Sequence, residues 1–241
     1  MLEKADRVLV GLSGGKDSLT LLAHLANLQN NFQIPFTFEA LHIKSDFSGC
    51  SAKPGFLDLV GSWGVKVHIL EVAIEARLKP GKSMNCYWCS TQRRTELIQW
   101  ANGRGFNKIA LGHHTDDILE SFFMNMAYKG EISTMLPVMR YDKYKAVIIR
   151  PMALVTEEQI IGYAKETGIL SEALVCPFGK TSLRLKARQA ISLLAASAPG
   201  VRANIFKAME NPHPRYLPGS SGQSPRQAEQ FPPEDQQVQE P

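Results

Sequence analysis

Three groups of residues in this chain have the types and spacing to do chemistry. The first is Ser13-Gly14-Gly15-Lys16-Asp17-Ser18. Adjacent glycines let backbone N–H groups approach phosphate oxygens, and a helix that follows aims its positive end at them. Ser13 and Ser18 add hydroxyl donors, and Lys16 adds a cation. The spacing is not that of a Walker A loop: from Gly11 to the Gly15-Lys16 pair it is one residue short. Asp17 also stands where a magnesium-binding Ser or Thr belongs. The Rossmann glycine spacing is absent too. The plain alternative is a tight turn between a strand and a helix.

The second group is Cys86-Tyr87-Trp88-Cys89, on a loop expected just before a helix. Two thiolates at this spacing can grip one metal centre. A thioredoxin-like redox pair would sit after the first strand of a smaller fold. A zinc site of cysteines alone would want a second C-x-x-C, and none exists. Coincidence of two buried thiols is the plain alternative. The other two cysteines are Cys50 and Cys176.

The third group is Gly112-His113-His114-Thr115-Asp116-Asp117. One histidine could hydrogen-bond a nucleotide, and the plain alternative is a loop histidine capped by neighbours. Asp116 and Asp117 are candidates for magnesium or for capping a helix, and Asp17 is a candidate for magnesium or for orienting a nucleotide. His24, His42 and His68 are expected to pack or to face water. Arg93 and Arg94 follow the cysteine pair and could contact RNA phosphates or a nucleotide. Lys180, Arg184 and Arg188 fall at i, i+4 and i+8, one basic stripe if a helix extends that far. A solvated face is the ordinary meaning of such a stripe. Beside a metal centre, an RNA contact is the reading preferred here. Tyr87 and Trp88 could stack on an extruded base or cover a cluster.

These groups need a scaffold, and the apolar pattern supplies one. Strands are expected at Arg7–Leu12, Phe36–Ile43, Val65–Ile69, Lys108–Leu111 and Ala146–Ile149. Helices are expected at 18–28, 54–63, 91–102, 115–128, 156–168, 182–196 and 201–210. Thr115 reads as the cap of one, and Thr156 with Gln159 as the capping box of another. Strands alternating with helices imply an α/β fold, a doubly wound parallel sheet. Ligands then bind at the carboxyl ends of the strands, where the first and third groups fall.

Composition narrows the class. The 241 residues are 44% hydrophobic and 21% charged, which excludes collagen-like, coiled-coil and wholly disordered chains. No apolar run is long enough for a membrane span. The N-terminus, MLEKADR, lacks a hydrophobic segment of the secretory kind, so a cytoplasmic location is expected. The net charge of +4 is mild and decides nothing about partners. Residues 1–210 are read as one folded domain with C-terminal helices. Residues 211–241 hold seven of the fourteen prolines and are expected to be a disordered tail.

Ser13 to Ser18 is the PP-loop signature, and it resembles the adenine-nucleotide alpha hydrolase superfamily, which cleaves ATP between the alpha and beta phosphates. With C-x-x-C-x-x-x-R-R at 86–94, G-H-H-x-D-D at 112–117, Arg150-Pro151 and Cys176, the chain resembles the tRNA 2-thiocytidine synthetases over roughly residues 5 to 210. The resemblance implies that the PP-loop cradles pyrophosphate, with Lys16, Asp17, Asp116 and Asp117 in catalytic roles. Ser13 to Ser18, Gly112 and His113 would hold ATP with magnesium. Cys86, Cys89 and Cys176 would bind a 4Fe-4S cluster with one open iron position.

The activity it implies is thiolation of cytidine 32 in the tRNA anticodon loop through an adenylated base. The partners implied are tRNA and a sulfur donor such as a cysteine desulfurase, with no membrane. A homodimer and a monomer are both left open. Gly179 stands where the family often has another cysteine, and Cys50 matches no family ligand. Two alternatives remain beside this one. One is another PP-loop tRNA-modifying enzyme, which thiolates a different base or ligates lysidine. The other is a nucleotide-binding protein with a structural zinc and no turnover.

Overall fold

The computed structural model describes residues 1–32, 35–47, 53, 55–173 and 183–217. Its chain divides into a unit Met1–Arg202 and a unit Ala203–Pro241. In the first, β1 (Arg7–Gly11) leads to α1 (Lys16–Asn31), β2 (Thr37–Ser45), α2 (Gly55–Ser62) and β3 (Val67–Val72). Next come α3 (Cys86–Gly103), β4 (Lys108–Ala110) and α4 (Thr115–Met124), which continues as one π-helical turn, Asn125–Lys129. The strands β5 (Val138–Tyr141) and β6 (Tyr144–Ile149) precede α5 (Glu157–Glu166), α6 (Ile169–Glu172) and α7 (Leu183–Ser197). Helix α8 (Val201–Glu210) begins at the end of this unit. The second unit holds the rest of α8 and a single 3-10 turn at Pro214–Tyr216.

The six strands form one sheet in the order β3-β2-β1-β4-β6-β5. All neighbours are parallel except β5 and β6, which are antiparallel. The doubly wound parallel sheet is therefore present, with an antiparallel edge strand that the sequence reading does not contain. Alternation along β1 builds a core on each face. Val8 and Val10 pack with Leu19 and Leu22 of α1 and Ile160 of α5. Leu9 packs on the other face with Leu97, Ile98 and Ala101 of α3. A strand buried on both faces reads as an unbroken apolar run, which is how β1 appears in the sequence.

The strand order places a switch point beside β1. Its neighbours are β2 on one side and β4 on the other. The loops leaving the carboxyl ends of β1 and β4 therefore border one crevice, the general ligand position in open α/β sheets. Among the described residues, no helix is long and apolar enough to cross a membrane.

Candidate active site

The loop after β1 ends on a helix with an open N-terminus. Gly15 is the N-cap of α1 and has no side chain to satisfy the first-turn N–H groups. Those amides and the positive end of α1 are left for an anion. The two loop glycines serve for different reasons. Gly14 has φ +86°, a left-handed conformation that side chains disfavour. Gly15 has φ −74°, open to any residue, so its contribution is the missing cap. Ser13 Oγ accepts from the Gly15 amide at 3.3 Å and lies 3.0 Å from Ser18 Oγ, which bends the loop back onto the helix.

The loop after β4 seats directly on this turn. A Cβ at Gly112 would lie 2.8 Å from the carbonyl carbon and oxygen of Asp17 and 2.9 Å from the Ser18 nitrogen. These are backbone atoms that cannot swing away. Only glycine lets the two loops touch, and the contact brings His114 to 3.7 Å from Asp17. His114, not Thr115, is the N-cap of α4, and its N–H donates to the Asp117 carboxylate at 3.2 Å. Thr115 is the first helical residue, and its hydroxyl donates to the Ala153 carbonyl.

Carboxylates crowd round the buried His114. Its Nε2 lies 3.4 Å from Asp117, and its Nδ1 lies 3.8 Å from Asp116 and has no hydrogen-bond partner among the described residues. Lys16 Nζ bridges Asp17 at 2.8 Å and Glu157 at 2.9 Å. Lys16 loses charge stability to burial, but both carboxylates more than restore it, so its pKa is raised and it stays a cation. Asp116 accepts from the Glu157 amide at 2.8 Å, capping α5, and pairs with Arg202 at 2.6 Å. Glu120, Glu157 and Arg202 are site residues that sequence reasoning did not assign, and His114 is offered there only as the alternative to His113.

His113 has a different environment. Arg150, buried at the end of β6, donates from Nε to His113 Nδ1 at 3.1 Å. Burial pushes the His113 pKa down to about 4; the positive charges of Arg150, Arg184 and Arg94 add to this, and Asp117 opposes it. The ring is neutral at pH 7. With Nδ1 accepting, its proton sits on Nε2, a donor suited to a nucleotide oxygen. This folded-state pKa lies below the ordinary 6.5. The histidine therefore contributes stability that is complete above pH 6.5 and is lost as pH falls toward 4. His113→Gln should remove this loss, a difference of about 2 kcal/mol at pH 4.5 in urea unfolding. An unchanged acid profile would mean that the folded ring already carries a proton.

The basic stripe of α7 faces these acids. Arg184 pairs with Asp117, and Arg188 donates to Glu120 at 2.6 Å and lies 3.4 Å from Glu157. Lys180, the third residue of the stripe, lies outside the described residues. An RNA phosphate at Arg184 or Arg188 would have to compete with these carboxylates. Glu120 is 2% exposed, and its burial raises its pKa despite the nearby arginines. Arg188→Ala should cost about 3 kcal/mol by leaving that charge only the longer contact to Arg184, at 3.6 Å. The loss should be larger at pH 8, where the carboxylate is ionised, than at pH 5. Equal stability of variant and parent at pH 8 would return Arg188 to a purely external role.

The cysteine pair sits in the first turn of α3, not on a loop before it, because Asn85 caps the helix. Its side chain accepts from the Trp88 amide at 2.9 Å. Cys86 is exposed and Cys89 half-buried. Trp88 donates from its indole to the Ile74 carbonyl and packs into the core, so it is a fixture of the scaffold. Tyr87 is 68% exposed. Arg93 is half-buried and Arg94 is exposed. Two sulfur donors on one turn, at the positive end of a helix, fit an anionic iron–sulfur cluster in donor type and field. Cys176 and Cys50 lie outside the described residues. Among the described residues, no third metal-ligating side chain joins the pair. Three other histidines are structural: His24 stacks on Tyr163, His42 bonds the Leu12 carbonyl and His68 bonds Glu39.

The chain resembles known proteins in sequence and fold. Residues 2–170 match the PP-loop domain family. A tRNA-cytidine(32) 2-sulfurtransferase of Pelobacter propionicus is 33% identical over 224 residues, covering 90% of this chain and 82% of the relative. One from Alcanivorax borkumensis is 37% identical over 228 residues, covering 90% of this chain and 78% of the relative. Among solved structures, the U34-tRNA thiolase NcsA from Methanococcus maripaludis, with its [4Fe-4S] cluster, superposes with a TM-score of 0.70. It is 21% identical and covers 87% of this chain and 72% of that one. The fold is thus that of a PP-loop enzyme, and the chain belongs to the tRNA-cytidine(32) 2-sulfurtransferase family.

Proposed function

We propose that this protein is an ATP-dependent sulfurtransferase that converts cytidine 32 of tRNA to 2-thiocytidine. The observation that carries the reading is the crevice at the β1/β4 switch point. There an uncapped helix N-terminus faces a loop that bears His113, His114, Asp116 and Asp117. The relatives named for this reaction are 33% and 37% identical over 90% of the chain.

In the first step the C2 carbonyl oxygen of the base attacks the α-phosphorus of ATP and expels pyrophosphate. The N-terminal end of α1 and the Lys16 cation stabilise the departing charge. Magnesium would share that charge, with Asp17 as its candidate ligand. The Nε2–H of His113 would orient the nucleotide, held in that tautomer by Arg150. In the second step a sulfur nucleophile adds at C2 and AMP leaves with the original oxygen. A 4Fe-4S cluster held by Cys86, Cys89 and Cys176 would supply an open iron position for that sulfur. A sulfur donor such as a cysteine desulfurase would replenish it, with a two-electron thiol reductant taking the delivered persulfide sulfur to sulfide. The test is nucleoside analysis of tRNA from a strain lacking the gene. Loss of 2-thiocytidine, restored by the parent and not by Asp17→Ala, is the expected result. Unchanged 2-thiocytidine would reject the assignment.

A further inference from the structure

From Ala76 to Thr95 the chain carries Arg77, Lys79, Lys82, Arg93 and Arg94 and no acidic residue. This is the connection from β3 into α3 and the first turns of that helix. Lys79-Pro80-Gly81-Lys82 is a tight turn. The Lys82 amide donates to the Lys79 carbonyl at 3.1 Å, and Gly81 has φ +80°. Proline second and a left-handed glycine third make it type II, so the backbone under both lysines is fixed. Arg77 staples the connection to α3 through Gln92 and Glu96.

The other cations are uncompensated. Among the described residues, no carboxylate pairs with Lys79, Lys82 or Arg94, all of them exposed. Arg93 Nε is buried and meets no hydrogen-bond acceptor there. The Arg94 charge reaches His113 and Arg150, helping to hold both below their ordinary pKa values. Among the described residues, Lys79, Lys82 and Arg94 thus keep unpaired charge on this surface, and the Arg94 field extends to the crevice, where Asp117 opposes it. This is the opposite of α7, whose Arg184 and Arg188 are neutralised internally. In the midst of this charge Tyr87 holds a largely solvent-exposed ring in the same turn as Cys86 and Cys89.

We propose that the β3–α3 connection and the start of α3 form the docking surface for a single-stranded segment of RNA. Lys79 and Lys82 contact backbone phosphates, Arg93 and Arg94 carry the strand toward the crevice, and Tyr87 stacks an unpaired base beside the cysteine pair. The proposal rests on the tRNA reading above, whose substrate base lies in an unpaired loop. Charge pairing supplies affinity that falls with salt, whereas ring stacking supplies affinity that does not. The two parts can therefore be separated.

The experiment is binding of an unmodified tRNA transcript to the full chain across a salt series. Lys79→Glu with Lys82→Glu should weaken binding on the order of tenfold or more. It should also flatten the log–log salt slope by about 1.4, two phosphates' worth. Tyr87→Ala should weaken binding roughly five- to a hundredfold and leave the slope unchanged. Lys4→Glu with Lys165→Glu makes the same charge change elsewhere and should retain the parent slope. Circular dichroism shows whether each variant is folded. Parent-like affinity and slope in both surface variants would overturn the surface and leave the enzyme assignment standing. Equal loss in the control pair would do the same, since net charge alone would then explain it. A parent protein with no affinity for tRNA at low salt would instead remove the tRNA reading, and this surface with it.

Discussion

Gly112→Ala is expected to abolish turnover, lowering pyrophosphate release at least about a hundredfold, and to cost about 2–4 kcal/mol of stability. The added methyl would lie at 2.8 to 2.9 Å from the backbone of Asp17 and Ser18. Contacts that short must be relieved, and neither partner is a flexible side-chain tip. One partner is the uncapped first turn of α1, the proposed phosphate site. The other is the loop that fixes His114 near Asp17 and starts α4. Relief means separating the β1 and β4 loops, and the crevice exists only where they meet. A shift of about 1 Å at such a site is enough to cost two orders of magnitude in rate. Gly162→Ala is the control. It adds the same methyl within α5, where nothing lies within 4 Å. That variant should keep full turnover and gain slightly in stability from helix propensity. Parent-like turnover in Gly112→Ala would show that the two loops need not touch.

Much of this crevice is legible in the sequence because its parts are local. A strand, a glycine turn and a helix follow one another within residues 7–31, and the turn's glycines announce its conformation. The loop from Gly112 to Asp117 likewise follows directly on β4. Other features are local and weakly marked. Strand β5 is four residues long, with Arg140 in it, and gains its place only by hairpin pairing with β6. The start of α3 at Cys86 depends on one capping side chain, Asn85, ahead of a segment without a clear apolar stripe.

The charge network could not be read from spacing, because its partners are distant in sequence. Lys16 meets Glu157 across 141 positions, Arg202 meets Asp116 across 86, and Arg184 meets Asp117 across 67. Spacing does put Arg184 and Arg188 on one face of α7. It does not say that Ala187 and Ile191, the buried residues of that helix, share the face with them. The complementary signal was present in α4, where Asp117 and Glu120 sit three residues apart. Two ladders of opposite charge on two helices identify a docked pair only once the fold brings the helices together.

Separate loops carry the two halves of the proposed reaction, and this fixes the expectation for the thiols. Cys86→Ser and Cys89→Ser, prepared without oxygen, should each lose most bound iron and sulfide and all tRNA thiolation, while ATP binding persists. Serine keeps the size and hydrogen-bonding capacity of cysteine but replaces a soft sulfur donor with a hard oxygen, which iron–sulfur clusters tolerate poorly. Helix α3 should survive either change, because its cap is Asn85 and its anchor is the Trp88 bond to Ile74. The proposed nucleotide crevice lies on the loops after β1 and β4 and takes no residue from this turn. Asp17→Ala should show the reverse pattern, with iron retained and pyrophosphate release lost. Cys176→Ser should behave as Cys86→Ser does if it completes the donor set, and Cys50→Ser should keep both iron and thiolation. Two results would break the division. An iron-replete, active Cys89→Ser protein would reduce the pair to packing, and a parent protein that is colourless and holds zinc would remove the sulfur-transfer half altogether. A Cys50→Ser protein with normal iron and no thiolation would move sulfur delivery from an open iron to a persulfide relay.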